Sequence, residues 1–161
     1  MTHNPTCHPP PWLAELNASR CRLLLLTGSQ NSGSVFEKTE RVIPGCVILN
    51  LGLTLSQRLL DVPSHQRPAQ APILLADLLA GQGPMMLYDL ELLFDPSLQL
   101  EPLRVLKAAS RSRILLVLWP GAYEDHKLTY AEPGHPEYKR YGPADLAEIL
   151  VVPVAELTTE A

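Results

Sequence analysis

The sequence predicts an α/β protein of three layers, in which a parallel sheet of about five strands carries helices on both faces. Short segments that are apolar throughout, as the strands of a buried parallel sheet must be, recur along the chain. They alternate with segments of helical periodicity, which provide the crossover connections that parallel strands require. At 161 residues the chain has the length of one domain.

The predicted strands are short apolar runs that end at glycine, proline or a polar residue. They comprise residues 22–26, 46–51, 84–88, 114–119 and 149–152. All of them are much shorter than the roughly 20 apolar residues that a helix needs to cross a bilayer. The sequence therefore predicts no contact with a membrane.

Helices are predicted between these strands, with identifiable boundary residues. Thr54 is a predicted N-cap, Gly81 a predicted stop, and Pro102 a residue suited to a first helical turn. The predicted helices comprise residues 12–17, 34–43, 54–60, 73–80 and 102–109, with a helical turn at 145–148. Residues 61–72 are predicted to be a loop, and the long polar stretch 122–143 an ordered loop with a function.

Composition divides the chain into a proline-rich flexible tail at 1–11, a domain at 12–155 and a C-terminal tail at 156–161. Three cysteines without paired spacing argue against a disulfide framework, and the start of the chain lacks a signal-peptide pattern. A cytoplasmic location is therefore expected. The net charge of −4 gives no general electrostatic case for nucleic acid. The metal-capable residues His3, Cys7 and His8 lack a fourth ligand, so no metal site is predicted.

The turn after the first predicted strand has the layout of a phosphate-binding loop. Two glycines spaced as G-x-x-x-x-G lie between an apolar strand and a helix, so backbone N–H groups and the helix N-terminus can surround a phosphate. The candidate nucleotide-binding residues are Gly28, Ser29, Gln30, Asn31, Ser32, Gly33 and Ser34. The alternative is a plain strand-to-helix turn that needs glycine for a positive φ.

The two residues after this loop differ from those of an active phosphate loop. Lysine and Ser/Thr normally follow the second glycine, where they reach the β/γ-phosphates and hold magnesium, whereas this chain has Ser34 and Val35. A helix dipole alone contributes about 0.3–1 kcal/mol toward an exposed anion. Tight ATP binding is therefore not expected from the loop alone.

Two acidic residues follow the third predicted strand, and they are the candidate catalytic residues. Asp89 closes the strand, where nucleotide hydrolases place a magnesium ligand, and Glu91 could polarise a water molecule. The alternative is that Asp89 ends the strand and Glu91 begins a short helix. Because ligands of parallel sheets bind at the carboxyl ends of the strands, the glycine loop, Asp89 and the exit of strand 114–119 are expected at one edge.

Arg111 and Arg113 precede the fourth predicted strand and are candidates for charges that reach a phosphate on a neighbouring subunit. The alternative is that they are exposed or pair with nearby carboxylates.

The chain resembles the BrxF P-loop proteins of BREX (bacteriophage exclusion) systems, from about residue 20 to residue 150. The strings that carry the resemblance are Leu49-Asn50-Leu51, Leu55-Ser56-Gln57-Arg58-Leu59-Leu60, Glu91-Leu92-Leu93-Phe94-Asp95-Pro96, Pro102-Leu103-Arg104-Val105-Leu106, Ser110-Arg111-Ser112-Arg113, Trp119-Pro120-Gly121, Leu128-Thr129-Tyr130-Ala131 and His135-Pro136-Glu137-Tyr138. The resemblance implies an AAA-like P-loop NTPase fold, membership of an antiphage defence system and nucleotide binding. It also aligns the family's strand-end aspartate with Tyr88, one position before Asp89.

These observations together lead us to expect a P-loop ATPase-fold component of a BREX system that hydrolyses ATP weakly or not at all. It would bind ATP or ADP with Mg²⁺, or no nucleotide, and act by self-assembly or by docking on other BREX proteins. One alternative is an active ATPase that uses a displaced cation, such as Lys38 or a neighbour's arginine. Another is a DNA-binding accessory module, whereas the leading hypothesis allows contact with DNA only as part of a complex. The candidate contacts of this module are Arg58, Arg67, Arg104, Lys107, Arg111 and Arg113.

Overall fold

The computed structural model describes residues 9–28 and 32–157. Its strands are β1 (Leu23–Thr27), β2 (Val47–Asn50), β3 (Met85–Tyr88), β4 (Leu115–Leu118), β5 (Ala122–Glu124), β6 (Lys127–Tyr130), β7 (Lys139–Tyr141) and β8 (Leu150–Pro153). Its α-helices are α1 (Pro11–Ala18), α2 (Ser32–Val42), α3 (Leu51–Leu59), α4 (Arg67–Leu79) and α5 (Pro102–Ala109). Short 3₁₀ turns comprise Ser64–Gln66, Glu91–Phe94, Pro96–Leu98 and Val154–Glu156.

Five strands form one parallel sheet in the order β2–β3–β4–β1–β8. Successive side chains of β1 point to opposite faces. Leu23 and Leu25 pack against α3, α4 and α5, whereas Leu24 and Leu26 pack in a second cluster that includes residues of α1 and α2. The prediction of a three-layer α/β fold with a five-strand parallel sheet and helices on both faces is therefore confirmed.

The distribution of helices between the two faces follows from the strand order. The connection from β1 to β2 runs from the middle of the sheet to one edge, whereas the connections β2–β3, β3–β4 and β4–β8 run in the opposite direction. Because crossovers between parallel strands are right-handed, connections that run in opposite directions lie on opposite faces. The helix α2 is thereby separated from α3, α4 and α5 by the sheet.

The predicted start of α3 was wrong. The helix begins at Leu51, since the side chain of Asn50 accepts a hydrogen bond from the backbone N–H of Leu53 at 2.9 Å and serves as the N-cap. Thr54 lies inside the helix, where its hydroxyl donates to the Asn50 carbonyl at 2.8 Å. Helix α4 likewise begins at Arg67, within the predicted loop 61–72, because its early Pro68 occupies a position whose N–H has no helical partner.

The stretch 122–143, predicted as an ordered loop, contains the antiparallel sheet β5–β6–β7. Leu128 and Tyr141 of this sheet are buried in the same apolar cluster as α3, α4 and α5. It therefore covers the parallel sheet on the face opposite α2.

The ends of the described chain pack together. Trp12 of α1 is buried, and its indole N–H donates to the carbonyl of Glu156 at 3.2 Å. Leu157 is fully buried in the same cluster, so the packed part of the chain extends past residue 155. Within residues 9–28 and 32–157, no helix combines the length and apolarity that crossing a membrane requires.

Candidate functional site

The strand order places a change of direction between the carboxyl ends of β1 and β4. The chain leaves β1 toward the face that carries α2, whereas it leaves the neighbouring β4 toward the face that carries the antiparallel sheet. This divergence is a topological switch point, the place where open α/β sheets bind their ligands. Gly28, the first residue of the candidate phosphate loop, directly follows β1 at this switch point.

The described part of the loop has the geometry of a glycine turn before a helix. Gly28 has φ +79°, a backbone conformation that favours glycine, and apart from its chain neighbours no atom of the described residues lies within 4 Å of where a Cβ would be. Gly33 and Ser34 are exposed in the first turn of α2. Ser29, Gln30 and Asn31 lie outside the described residues, as does the side chain of Ser32. In general, the first turn of a helix is a place where backbone N–H groups can bind an anion.

The residue after Ser34 belongs to the core. Val35 is 1% exposed and packs in the cluster of α1 and α2 against the sheet. An active phosphate loop needs a hydroxyl at this position to hold magnesium. Val35 therefore offers no oxygen ligand to a magnesium ion at this position.

Asp89 lies at the same edge of the sheet, directly after β3. Its φ of +54° lies outside the extended region, so the strand cannot continue through this residue. Its carboxylate accepts a hydrogen bond from the Asn50 side-chain amide at 2.7 Å, and its carbonyl accepts one from the N–H of Gly52 at 2.9 Å. A Cβ on Gly52 would lie 2.6 Å from that carbonyl, so this contact requires glycine. The end of β2 thus holds Asp89 in place.

Gly28 and Asp89 lie at the same edge of the sheet, and one strand separates the strands that they follow. Because β4 separates β1 from β3, two strand spacings of about 4.8 Å each place the two strand ends about 10 Å apart. Tyr88, the position that the BrxF resemblance aligns with aspartate, instead packs its ring against Phe36 of α2 at a centroid distance of 4.9 Å. Asp89 is therefore the carboxylate that this strand end presents.

Glu91 is exposed at the start of the 3₁₀ turn that follows Asp89. Its carboxylate lies near the antiparallel sheet. The pKa of Tyr130 in that sheet is raised mainly by burial, and further by the negative charges of Glu137 and Glu91.

Arg111 and Arg113 lie at the amino-terminal edge of the sheet, opposite the glycine loop, because both precede β4. Arg113 is 5% exposed, and its guanidinium donates to the carbonyls of Leu79, Ala80 and Gly83 at 3.2, 2.9 and 2.7 Å. These contacts bind the C-terminus of α4 and its following turn to β4. Arg113 is thus a structural residue and not a charge available to a neighbour, whereas Arg111 is exposed.

An aromatic cluster joins the antiparallel sheet to the carboxyl end of β4, and the sequence interpretation missed it. Phe94 stacks on Tyr130 at 3.7 Å and meets Trp119 edge-on at 5.5 Å, and Trp119 meets Tyr141 at 6.1 Å. The indole N–H of Trp119 donates to the Thr129 carbonyl at 2.9 Å. The one available signal was the concentration of tyrosines between residues 123 and 141.

Gly121 is required where the chain leaves β4. A Cβ at this position would overlap the carbonyl oxygen of Thr129 in the neighbouring strand. We expect Gly121→Ala to lower the free energy of unfolding by about 3 kcal/mol, since backbone on both sides must move. Urea denaturation measures the change. Gly83→Ala is the matched control, because open space surrounds that position. A Gly121→Ala protein as stable as the Gly83→Ala protein would contradict the described contact.

Tyr141 is expected to make the stability fall at alkaline pH. Burial, and then the hydrogen bond from its hydroxyl to Glu101 at 2.5 Å, raise the pKa of Tyr141 above its usual value of about 10. The folded state therefore keeps this proton more tightly than the unfolded state does. Its contribution is complete below pH 10 and is lost as the pH rises above that value.

The measurement compares unfolding free energies between about pH 9 and pH 11.5. We expect the wild-type value to fall more steeply than that of Tyr141→Phe. Tyr123→Phe, at an exposed residue of β5, provides the control and should follow the wild-type slope. Identical slopes for wild type and Tyr141→Phe would refute the prediction.

The fold and the site together define a three-layer α/β protein with a glycine turn at its topological switch point. No protein-family model, curated protein or solved structure matches this chain.

Proposed function

We propose that this chain is a P-loop ATPase-fold component of a BREX-type antiphage defence system, and that it hydrolyses ATP weakly or not at all. It acts through self-assembly or through docking on other BREX proteins. The support for the BREX assignment is the resemblance to the BrxF P-loop proteins. The support for a P-loop fold is the glycine turn at the switch point of a parallel sheet, with Asp89 at the same edge.

One observation carries the proposal that hydrolysis is weak or absent. The position that should supply a hydroxyl to magnesium is Val35, which is buried in the core, and the position that should supply a lysine is the exposed Ser34. Loss of the cation and of the metal ligand affects the same chemical step, transfer of the γ-phosphoryl group. A scaffold that keeps the turn without these two groups suits assembly better than turnover.

The test is calorimetry with ATP in the presence and absence of Mg²⁺, together with a steady-state ATPase assay. We expect weak or undetectable binding that Mg²⁺ does not strengthen, and no turnover above that of the Glu91→Gln protein. Robust magnesium-dependent turnover that Glu91→Gln abolishes would reject the proposal. The defence role is tested separately, by the plaquing efficiency of phage on a host whose BREX genes include or lack this chain. Unchanged restriction without the chain would reject that part.

A second candidate is an active ATPase that takes its cation from a neighbouring subunit. Arg111 favours it, because this exposed arginine lies at the sheet edge opposite the glycine loop, where a head-to-tail neighbour could use it. This candidate requires ATP to increase the molar mass in light scattering, and Arg111→Ala to abolish that increase. No change in mass with ATP would exclude it.

A further inference from the structure

Two adjoining cavities flank the outer side of α5. The basic cavity lies between α5 and β7 and has a volume of about 600 Å³. Its lining includes Arg104, Lys107, Arg111, Arg140 and the carboxylate residues Glu101 and Asp145. The apolar groove lies between α4 and α5 and has a volume of about 390 Å³. Arg104 and Ala108 line both, so the two cavities form one continuous surface.

The positive charges of the basic cavity exceed its negative ones. Four cationic side chains and two carboxylates line it. The Glu101 carboxylate already accepts the Tyr141 hydroxyl and pairs with Lys139 at 3.6 Å. Asp145 accepts the N–H of Gly142 at 3.0 Å through its carboxylate. The cavity therefore has a surplus of positive charge in a chain whose net charge is −4.

Three arginines provide this surplus. Among the described residues, Arg104, Arg111 and Arg140 are exposed and have no carboxylate within ion-pair distance. Arg104 lies on α5 and Arg111 just after its end, and both line the basic cavity. A planar guanidinium suits bidentate contact with a carboxylate.

Small side chains form much of the apolar groove, which Leu79 and Arg104 also line. Pro72 and Ala76 of α4 face Val105, Ala108 and Ala109 of α5 across it. Small residues let another backbone approach closely, and the groove offers apolar surface to side chains that enter it. An anion alone, such as a phosphate, would use the basic cavity and leave this groove empty.

We propose that this combined surface, the basic cavity with the apolar groove, binds an acidic amphipathic helix of a partner protein. Its apolar residues fill the groove, and its carboxylates contact Arg104, Arg111 and Arg140. The surplus of positive charge selects an acidic partner, and the adjoining apolar groove selects one with an apolar face. The inference rests on the proposed function for the existence of a partner, and not on nucleotide binding.

Nucleic acid fits this surface less well. Single strands stack their bases on exposed aromatic rings, but the one aromatic side chain lining the two cavities is Tyr141, which is buried. A duplex would meet the arginines with its phosphates but would leave the apolar groove unfilled. Duplex DNA is therefore a competing ligand in the test and not the proposed one.

The test uses the full chain and a labelled synthetic helix with leucines at i, i+3, i+4 and i+7 and glutamates beside them. A second peptide replaces the glutamates with lysines, and a 20-base-pair DNA duplex is the third ligand. Fluorescence anisotropy gives each Kd at low and moderate salt. We expect the acidic peptide to bind, and raised salt to weaken its binding. The lysine peptide should bind at least tenfold more weakly.

Two variants test the two halves of the surface. The double variant Arg104→Glu/Arg140→Glu should weaken binding of the acidic peptide at least tenfold. Ala76 is exposed and lines the groove, so Ala76→Trp fills the groove and should weaken binding of the acidic peptide at least fivefold. Arg41→Glu is the matched control, since Arg41 is exposed on α2 across the sheet, and it should leave the Kd unchanged. Circular dichroism verifies that all variants are folded.

Several results would overturn the inference. Equal binding of the two peptides, or no binding of the acidic peptide, would do so. An unchanged Kd with Ala76→Trp would also do so. So would a DNA duplex that binds more tightly than the acidic peptide and loses its binding in Arg104→Glu/Arg140→Glu. Calorimetry with ATP on the same samples separates this inference from the proposed function. If the wild-type protein does not bind the acidic peptide but binds and hydrolyses ATP as proposed above, this inference alone is refuted.

Discussion

Replacement of Ser34 by lysine is expected to tighten ATP binding at least tenfold. Ser34 is exposed in the first turn of α2, directly after Gly33, so an ammonium there would meet phosphates held by the turn. A charge-assisted hydrogen bond contributes about 1.5–3 kcal/mol, which corresponds to a factor of roughly ten to more than a hundred in Kd. Isothermal titration calorimetry with ATP measures the change.

The matched control for this prediction is Ser34→Met, which adds a side chain of similar length without charge. We expect its affinity for ATP to stay at the wild-type level. The lysine variant should hydrolyse ATP no faster than the wild type, because Val35 still offers no ligand to magnesium. Equal affinities of the lysine and methionine variants would show that the turn does not position phosphates at this helix N-terminus.

Replacement of Arg113 by leucine is expected to lower the free energy of unfolding by about 3–4 kcal/mol. The guanidinium is buried and donates to three carbonyls at and just after the C-terminus of α4, and leucine would leave all three without this partner. Each buried acceptor left unsatisfied costs about 1–3 kcal/mol, part of which water recovers at this edge. The substitution also removes a positive charge from the C-terminus of α4, where the helix dipole makes a positive charge favourable.

Arg111→Leu provides the comparison, since Arg111 is exposed two residues earlier in the chain. Its free energy of unfolding should stay within about 0.5 kcal/mol of the wild type. Urea denaturation followed by circular dichroism measures both variants. If Arg113→Leu proved as stable as Arg111→Leu, the three carbonyl contacts would not contribute as described.

The parallel sheet was predictable because its inner strands β1, β3 and β4 are almost entirely buried. A strand buried on both faces reads as an apolar run, such as the four leucines of β1, and this pattern is visible without any knowledge of its neighbours. The same reasoning placed Gly28 and Asp89 at one edge, since the carboxyl ends of parallel strands share an edge. The structure places both residues there.

Features that depend on distant partners were not predictable. The segment 122–143 is polar in sequence, and its packing comes from Phe94 and Trp119, which lie outside it. The role of Arg113 depends on carbonyls about 30 residues earlier in the chain. The sequence places Asn50 in the predicted strand, so Thr54 becomes the predicted N-cap of α3. In the structure β2 ends at Asn50 and α3 begins at the next residue, so Asn50 both ends the strand and caps the helix.

The position of β1 in the sheet also bears on how the protein is made. This early strand bonds to β4 and β8, both from the second half of the chain. During translation, β1 therefore emerges from the ribosome long before either of its partners exists. A nascent chain that stops before Leu115 leaves a strand of four consecutive leucines with both edges unsatisfied, a state in which chaperone binding would protect it from aggregation.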